Sequence, residues 1–165
     1  MGGQAMKLVC NLKGPGAVAL GLAVLMPLGT GVAAQDQLNG MVYYTTDQSF
    51  DDVTFGLENA IIEEGLVIDH VSHTGEMLER TRADVGSDVV IFEAADIFSF
   101  CSAQLSREVM EADWTNVVFC PYHIFVLTRP ETPGETLIGY RSFPEGEMKK
   151  VEAMLDRISR AALGM

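Results

Sequence analysis

Positive charge is the scarcest feature of this chain: 11 Lys and Arg stand against 23 Asp and Glu in 165 residues, a formal net charge of −12. Gripping phosphates requires clustered Lys and Arg to displace counterions, so a nucleic-acid partner is excluded, and an anionic membrane surface is disfavoured for the same reason. Cysteine occurs only at positions 10, 101 and 120, which excludes a disulfide-dense mini-protein. Gly and Pro, at 16 and 6 residues, are too few and too scattered for a fibrous repeat. Aromatics are modest at 8%, yet a hydrophobic content of 48% is too high for a disordered chain. No Gly-x-Ser-x-Gly, His-Glu-x-x-His, phosphate-loop, Cys-x-x-Cys or EF-hand pattern is present, so neither a catalytic residue nor a metal ligand is named and no cofactor is assigned. Paired carboxylates are numerous, but 23 acids produce pairs by chance, and spacing alone promotes none to a general acid or base. What remains is one small, acidic, globular domain with no enzyme signature.

Long apolar runs are also rare, and the clearest one lies near the start. Lys7 and Lys13 are the only charges before Asp36, and they precede the run Ala17 to Leu28. Small residues follow at Gly29 to Ala34, with Val32 and Ala34 at the −3 and −1 positions of a cleavage site before Gln35. This is the pattern of a signal peptide over residues 1–34. The run is shorter than the ~20 apolar residues a spanning helix needs, so no membrane segment is expected once it is removed. The expected location is periplasmic or secreted. Cleavage removes Cys10 and leaves Cys101 and Cys120 in an oxidising compartment, where two cysteines can make one disulfide.

Residues 35–165 read as a single α+β domain. Met41 to Thr45 is rich in β-formers and predicts a first strand. Ser49 can cap a helix carrying Asp51 and Asp52 in its first turn and Phe50, Val53, Leu57 and Ile61 at helical spacing, stopped by Gly65. Leu66 to Val71 predicts a second strand, and Gly75 to Val85 a short helix ended by Gly86. Val89 to Cys101 reads as one bent strand or two short ones, after which Ser102 caps a helix through Leu105, Val109 and Ala112. Asn116 to Thr128 reads as one long strand in which Pro121 implies an edge or a bulge. The Thr132-Pro133-Gly134 turn leads into a strand from Thr136 to Ser142. Met148, Val151, Leu155 and Ile158 predict a closing helix over about 145–162. The order β-α-β-α-β-α-β-β-α suits helices packed on a mainly antiparallel sheet.

The ordered string Phe100-Cys101-Ser102-Ala103, Leu105-Ser106-Arg107, Met110-Glu111-Ala112-Asp113 and Phe119-Cys120-Pro121-Tyr122 resembles the domain of unknown function 302 family, in its secreted branch. Leu78-Glu79-Arg80-Thr81 upstream and Gly139-Tyr140-Arg141 downstream fit the same pattern, so the resemblance spans roughly residues 41–141. It implies a compact α+β fold resembling the TATA-binding-protein-like arrangement, and no agreed activity. Other branches lack the cysteine pair or keep one of the two, so the resemblance does not make the pair essential to the fold.

Cys101 ends a strand just before a helix N-terminus, where the dipole and free N–H groups stabilise a thiolate. Cys120 returns beside it only if the two flanking strands run antiparallel, since a disulfide needs Cα atoms within ~7 Å. The pair is read as a structural disulfide, with a thiol-redox, metal-binding or haem-binding pair and two independent buried thiols as the alternatives. His70 and His73, and likewise Cys120 and His123, are three apart, a spacing that sends strand residues to opposite faces and gives no shared metal site. Arg80, Arg107 and Arg141 could converge on an anion or carboxylate, with Tyr122 and Tyr140 lining the same pocket. Against this, each arginine could pair with a nearby acid such as Glu79, Glu108 or Glu111. The leading reading is a non-enzymatic accessory domain that holds a small molecule or a periplasmic protein in the concave region between sheet and helices. A thiol-redox or cofactor protein is the alternative, and a homodimeric structural module the third.

Overall fold

The computed structural model describes residues 40–165 and the backbone of residues 36–38. The expected signal peptide and Cys10 lie outside the described residues. The elements run β1 (Asp36–Leu38), β2 (Met41–Thr46), α1 (Phe50–Glu63), β3 (Ile68–Ser72), α2 (Thr74–Thr81), β4 (Ala94–Phe100), α3 (Ala103–Ala112), a 3-10 helix (Trp114–Phe119), β5 (Tyr122–Thr128), β6 (Thr136–Arg141) and α4 (Met148–Ala162). The strands form one six-stranded sheet in the order β1-β2-β6-β5-β4-β3, with every neighbouring pair antiparallel. The fold is therefore α+β with an antiparallel sheet, and the expected order holds from β2 to α4, with edge strand β1 and the 3-10 helix added to it. Among the described residues no helix is long and apolar enough to cross a membrane.

Local chemistry explains most boundaries. Ser49 accepts a hydrogen bond from the Asp52 amide at 3.1 Å and caps α1. Ser102 does the same for α3 through the Leu105 amide at 3.3 Å. Gly65, at φ +76°, takes the left-handed turn that ends the α1 region, and Gly134, at φ +80°, closes the β5–β6 hairpin.

Four expectations are corrected. Residues 116–121 are not strand: Asp113 accepts from the Thr115 amide at 2.9 Å and starts the 3-10 helix, which leaves Val117 and Val118 exposed. β-rich composition there yields to a local side-chain turn. Pro121 then precedes β5 rather than sitting at an edge or bulge within it, so interior strand β5 loses no ladder donor. Residues 89–93 do not join β4, which begins at Ala94, and α2 ends at Thr81.

One face of the sheet is covered. Val42 and Tyr44 of β2, Ile124 and Val126 of β5, and Phe98 and Phe100 of β4 alternate inward and are buried against the apolar faces of α1 and α4. Val53, Leu57 and Ile61 supply the α1 stripe and Val151, Leu155 and Ile158 the α4 stripe. The two helices cross closely at Gly56, where a Cβ would stand 2.4 Å from the Ala162 carbonyl oxygen. Asp156 of α4 anchors the layer to the sheet, its Oδ1 accepting from the Tyr44 hydroxyl at 2.5 Å and the Tyr140 hydroxyl at 2.9 Å.

Candidate functional site

The concave region between sheet and helices, expected to hold a ligand, is filled by this core. The recess lies on the other face. Directly paired residues of antiparallel strands project to the same side, so the register lays out that face in rows. His70 of β3 pairs with Ser99 of β4, Ser99 with His123 of β5, and Met41 of β2 with Arg141 of β6. Arg141 stands two residues beyond Gly139, the partner of Phe125, which brings it beside His123. This polar row is followed by an apolar one, in which Ile97 pairs with Phe125, Phe125 with Gly139, and Gly139 with Tyr43. Ser72 joins the second row at Ile97.

These rows floor a cleft of about 610 Å³, lined by Ser72, Ser99, His123 and Arg141 on its polar side and by Met41, Ile97 and Phe125 beneath. A second recess of about 270 Å³, lined mainly by apolar side chains, shares Met41, Ile97 and Phe125 and extends toward Phe92, Ala95 and Leu127, with Thr74 and Asp96 also in its lining. Gly139 makes the floor possible. A Cβ there would meet the Phe125 ring at 2.7 Å and the Val42 carbonyl oxygen at 2.6 Å.

Arg141 is exposed, and its guanidinium carbon lies 5.2 Å from the centroid of the Phe119 ring. Among the described residues it has no carboxylate partner. Burial, and then the Arg141 charge, hold the His123 imidazole below its ordinary 6.5, so it is neutral at pH 7. His73, which precedes α2, is the opposite case: its Nδ1 lies 2.9 Å from Asp96 Oδ1, and that hydrogen bond raises it.

The five arginine and tyrosine candidates do not meet. Arg141 lines the cleft. Arg80 is exposed on α2, and Arg107 donates to Glu111 at 2.8 Å on an exposed face of α3. Tyr122 is buried in the core, where its hydroxyl accepts from Ser106 at 3.1 Å. Tyr140 is buried on Asp156. A further recess of about 350 Å³ beside α3 and α4 contains Lys150 and Arg157, but Lys150 is engaged by Glu108 and Glu147 and Arg157 by Glu64. Its cations are spent. Sequence reasoning missed Ser99, Phe125 and Ser72 as cleft residues and set His123 aside, because only the cross-strand register brings them together.

Cys101 and Cys120 lie just past the Phe100–Tyr122 pair, at the same end of the sheet as the polar row. Their Sγ atoms are 2.9 Å apart and both are free thiols. A disulfide bond is about 2.05 Å, so the expected bridge is absent from this structure. Antiparallel pairing of β4 with β5 nonetheless brings the two together. Burial, and then the contact with Cys120, push the Cys101 thiol up to about 11. Burial thus opposes the thiolate expected from the α3 N-terminus. Among the described residues no group of three His, Cys, Asp or Glu could hold a metal ion.

No curated protein matches this chain. Among solved structures, an uncharacterized conserved DUF302 protein from Bacillus stearothermophilus is similar with a TM-score of 0.54, at 16% identity, covering 77% of this chain and 95% of that one. At that identity the likeness speaks for the fold alone. The family model described as domain of unknown function DUF302 matches residues 42–162, every element from β2 to α4, and the chain belongs to that family.

Proposed function

We propose that this protein is a non-enzymatic accessory protein that binds a small molecule in the open-face cleft, outside the cytoplasm. The observation that carries the reading is the cleft itself. A recess of about 610 Å³ with an apolar floor and a few convergent polar groups has the size and chemistry of a small-ligand site. The signal-like first 34 residues support the location. The neutral apolar dye N-phenyl-1-naphthylamine tests binding directly. Its fluorescence should rise on addition of the purified protein, and Ser99→Trp, which fills the cleft from β4, should abolish the rise while leaving the thermal unfolding midpoint near that of the parent. No dye binding by the parent, or undiminished binding by the variant, overturns the reading.

The contact between Cys101 and Cys120 supports a second reading, a pair that cycles between dithiol and disulfide. Each thiol would give up one proton and one electron to the disulfide of an oxidant, which is thereby reduced to two thiols. A closed bridge would also be the form expected in an oxidising compartment. Intact mass after alkylation under denaturing, non-reducing conditions separates the cases. Protein recovered from the periplasm should take no label and be two hydrogens light if the bridge closes, and two labels would rule out a standing disulfide.

A further inference from the structure

We infer that the ligand of the open-face cleft is a monocarboxylate carried on an apolar body, such as a medium-length alkanoate or an aryl acid, with its carboxylate on Arg141. This names the ligand class of the site proposed above and rests on that reading.

Charge is the first argument. The chain holds 23 acids, and its cations along α2, α3 and α4 are largely engaged: Arg82 by Glu79, Arg107 by Glu111, Lys149 by Glu152 and Arg157 by Glu64. Arg141 is the cation lining the cleft, and among the described residues no acid meets it. Its guanidinium is held over the Phe119 ring, which in turn stands 5.5 Å from the Phe143 ring, and among the described residues no hydrogen bond takes up its N–H groups. A planar fork of free N–H donors suits a carboxylate.

Valence is the second argument. One guanidinium, a neutral imidazole and two hydroxyls, Ser99 and Ser72, suit a single negative charge. A phosphate dianion would call for more positive charge than this face offers in a chain of net charge −12. A cation would be repelled by Arg141. His123 can donate one N–H when neutral and two when protonated.

Direction is the third argument. Ser99, His123 and Arg141 share one row of the sheet, and beyond it the floor is mainly apolar: Ile97 and Phe125, with Ser72 at the β3 end of that row, then Ala95 and Leu127. A ligand with its charge at Arg141 would run its body along this floor into the second recess, roughly perpendicular to the strand pairing. A compact polar anion would leave that recess empty.

The decisive comparison uses octanoate and 1-octanol, which share a chain and differ in charge, titrated as competitors of N-phenyl-1-naphthylamine at pH 7. Octanoate should displace the dye with at least about tenfold higher affinity. Arg141→Gln should bring the two competitors to within about twofold of each other, with a thermal unfolding midpoint near that of the parent reporting that the variant is folded. Equal affinities in the parent, an undiminished preference in Arg141→Gln, or failure of octanoate to displace a bound dye would each overturn the ligand class and leave the small-ligand reading standing. Absence of dye binding altogether would instead remove the underlying reading and the ligand class with it.

Discussion

The two faces of the sheet are made of alternate residues of the same strands, yet they are built on different principles. On the covered face Ile124 and Val126 are buried under α1 and α4. On the open face His123 and Phe125, their immediate neighbours, are only partly covered. The covered face carries the apolar core, and the open face carries the cleft. Substitutions one residue apart on β5 should therefore separate stability from binding. Ile124→Ala should cost about 3–4 kcal/mol in urea unfolding, since it empties a fully enclosed site. Phe125→Ala should cost clearly less but abolish dye binding by removing the cleft floor. Equal losses of stability with binding retained in Phe125→Ala would break the comparison.

The Asp156 network on the covered face offers the next test. Asp156 takes two phenolic hydroxyls on one carboxylate oxygen, linking α4 to β2 and β6. Both tyrosines are nearly devoid of solvent contact, so truncating the shared acceptor strands two hydroxyls at once. Asp156→Ala should lose about 2–3 kcal/mol by urea unfolding, with octanoate affinity unchanged because the network faces away from the cleft. Asp156→Asn keeps an acceptor and should lose less than half as much. A loss below that of Asn in the Ala variant would show that Tyr44 and Tyr140 do not depend on Asp156.

The covered face was legible in the sequence because its signals are local. Ser49 and Ser102 announce their helices within three residues, and the stripes Val53-Leu57-Ile61 and Val151-Leu155-Ile158 declare which side is apolar. The exchange of strand for 3-10 helix at Trp114–Phe119 also has a local cause, the Asp113 side chain, but in sequence it competes with a β-rich string that points to strand. The cleft was illegible for a different reason. His70, Ser99, His123 and Arg141 are spread across four strands, and their common row follows from sheet order and register, which no short window contains. The grouping of Arg141 with Arg80 and Arg107 followed scarcity of charge, whereas the partner that matters, His123, lies across the ladder.

The smallest effect sharpens the comparison at a single group. His123 is held below its ordinary 6.5, so between its folded and ordinary values the unfolded chain binds a proton that the folded one refuses. Its contribution to stability is therefore fully present above about pH 6.5 and is lost as pH falls through the folded value. His73, raised by Asp96, has the opposite sign, but it is solvent-exposed and contributes little. Urea unfolding at a series of pH values from about 8 down to 5.5 should show stability falling toward acid, and His123→Asn should flatten that part of the slope. Saturating octanoate should flatten it as well, because a carboxylate beside His123 favours the protonated ring and offsets the repulsion from Arg141. By the same linkage, octanoate should bind more tightly as pH falls, until its own carboxylate is protonated. A pH slope in free protein that octanoate leaves untouched would place the ligand's charge away from His123, and so away from the polar row of the open face.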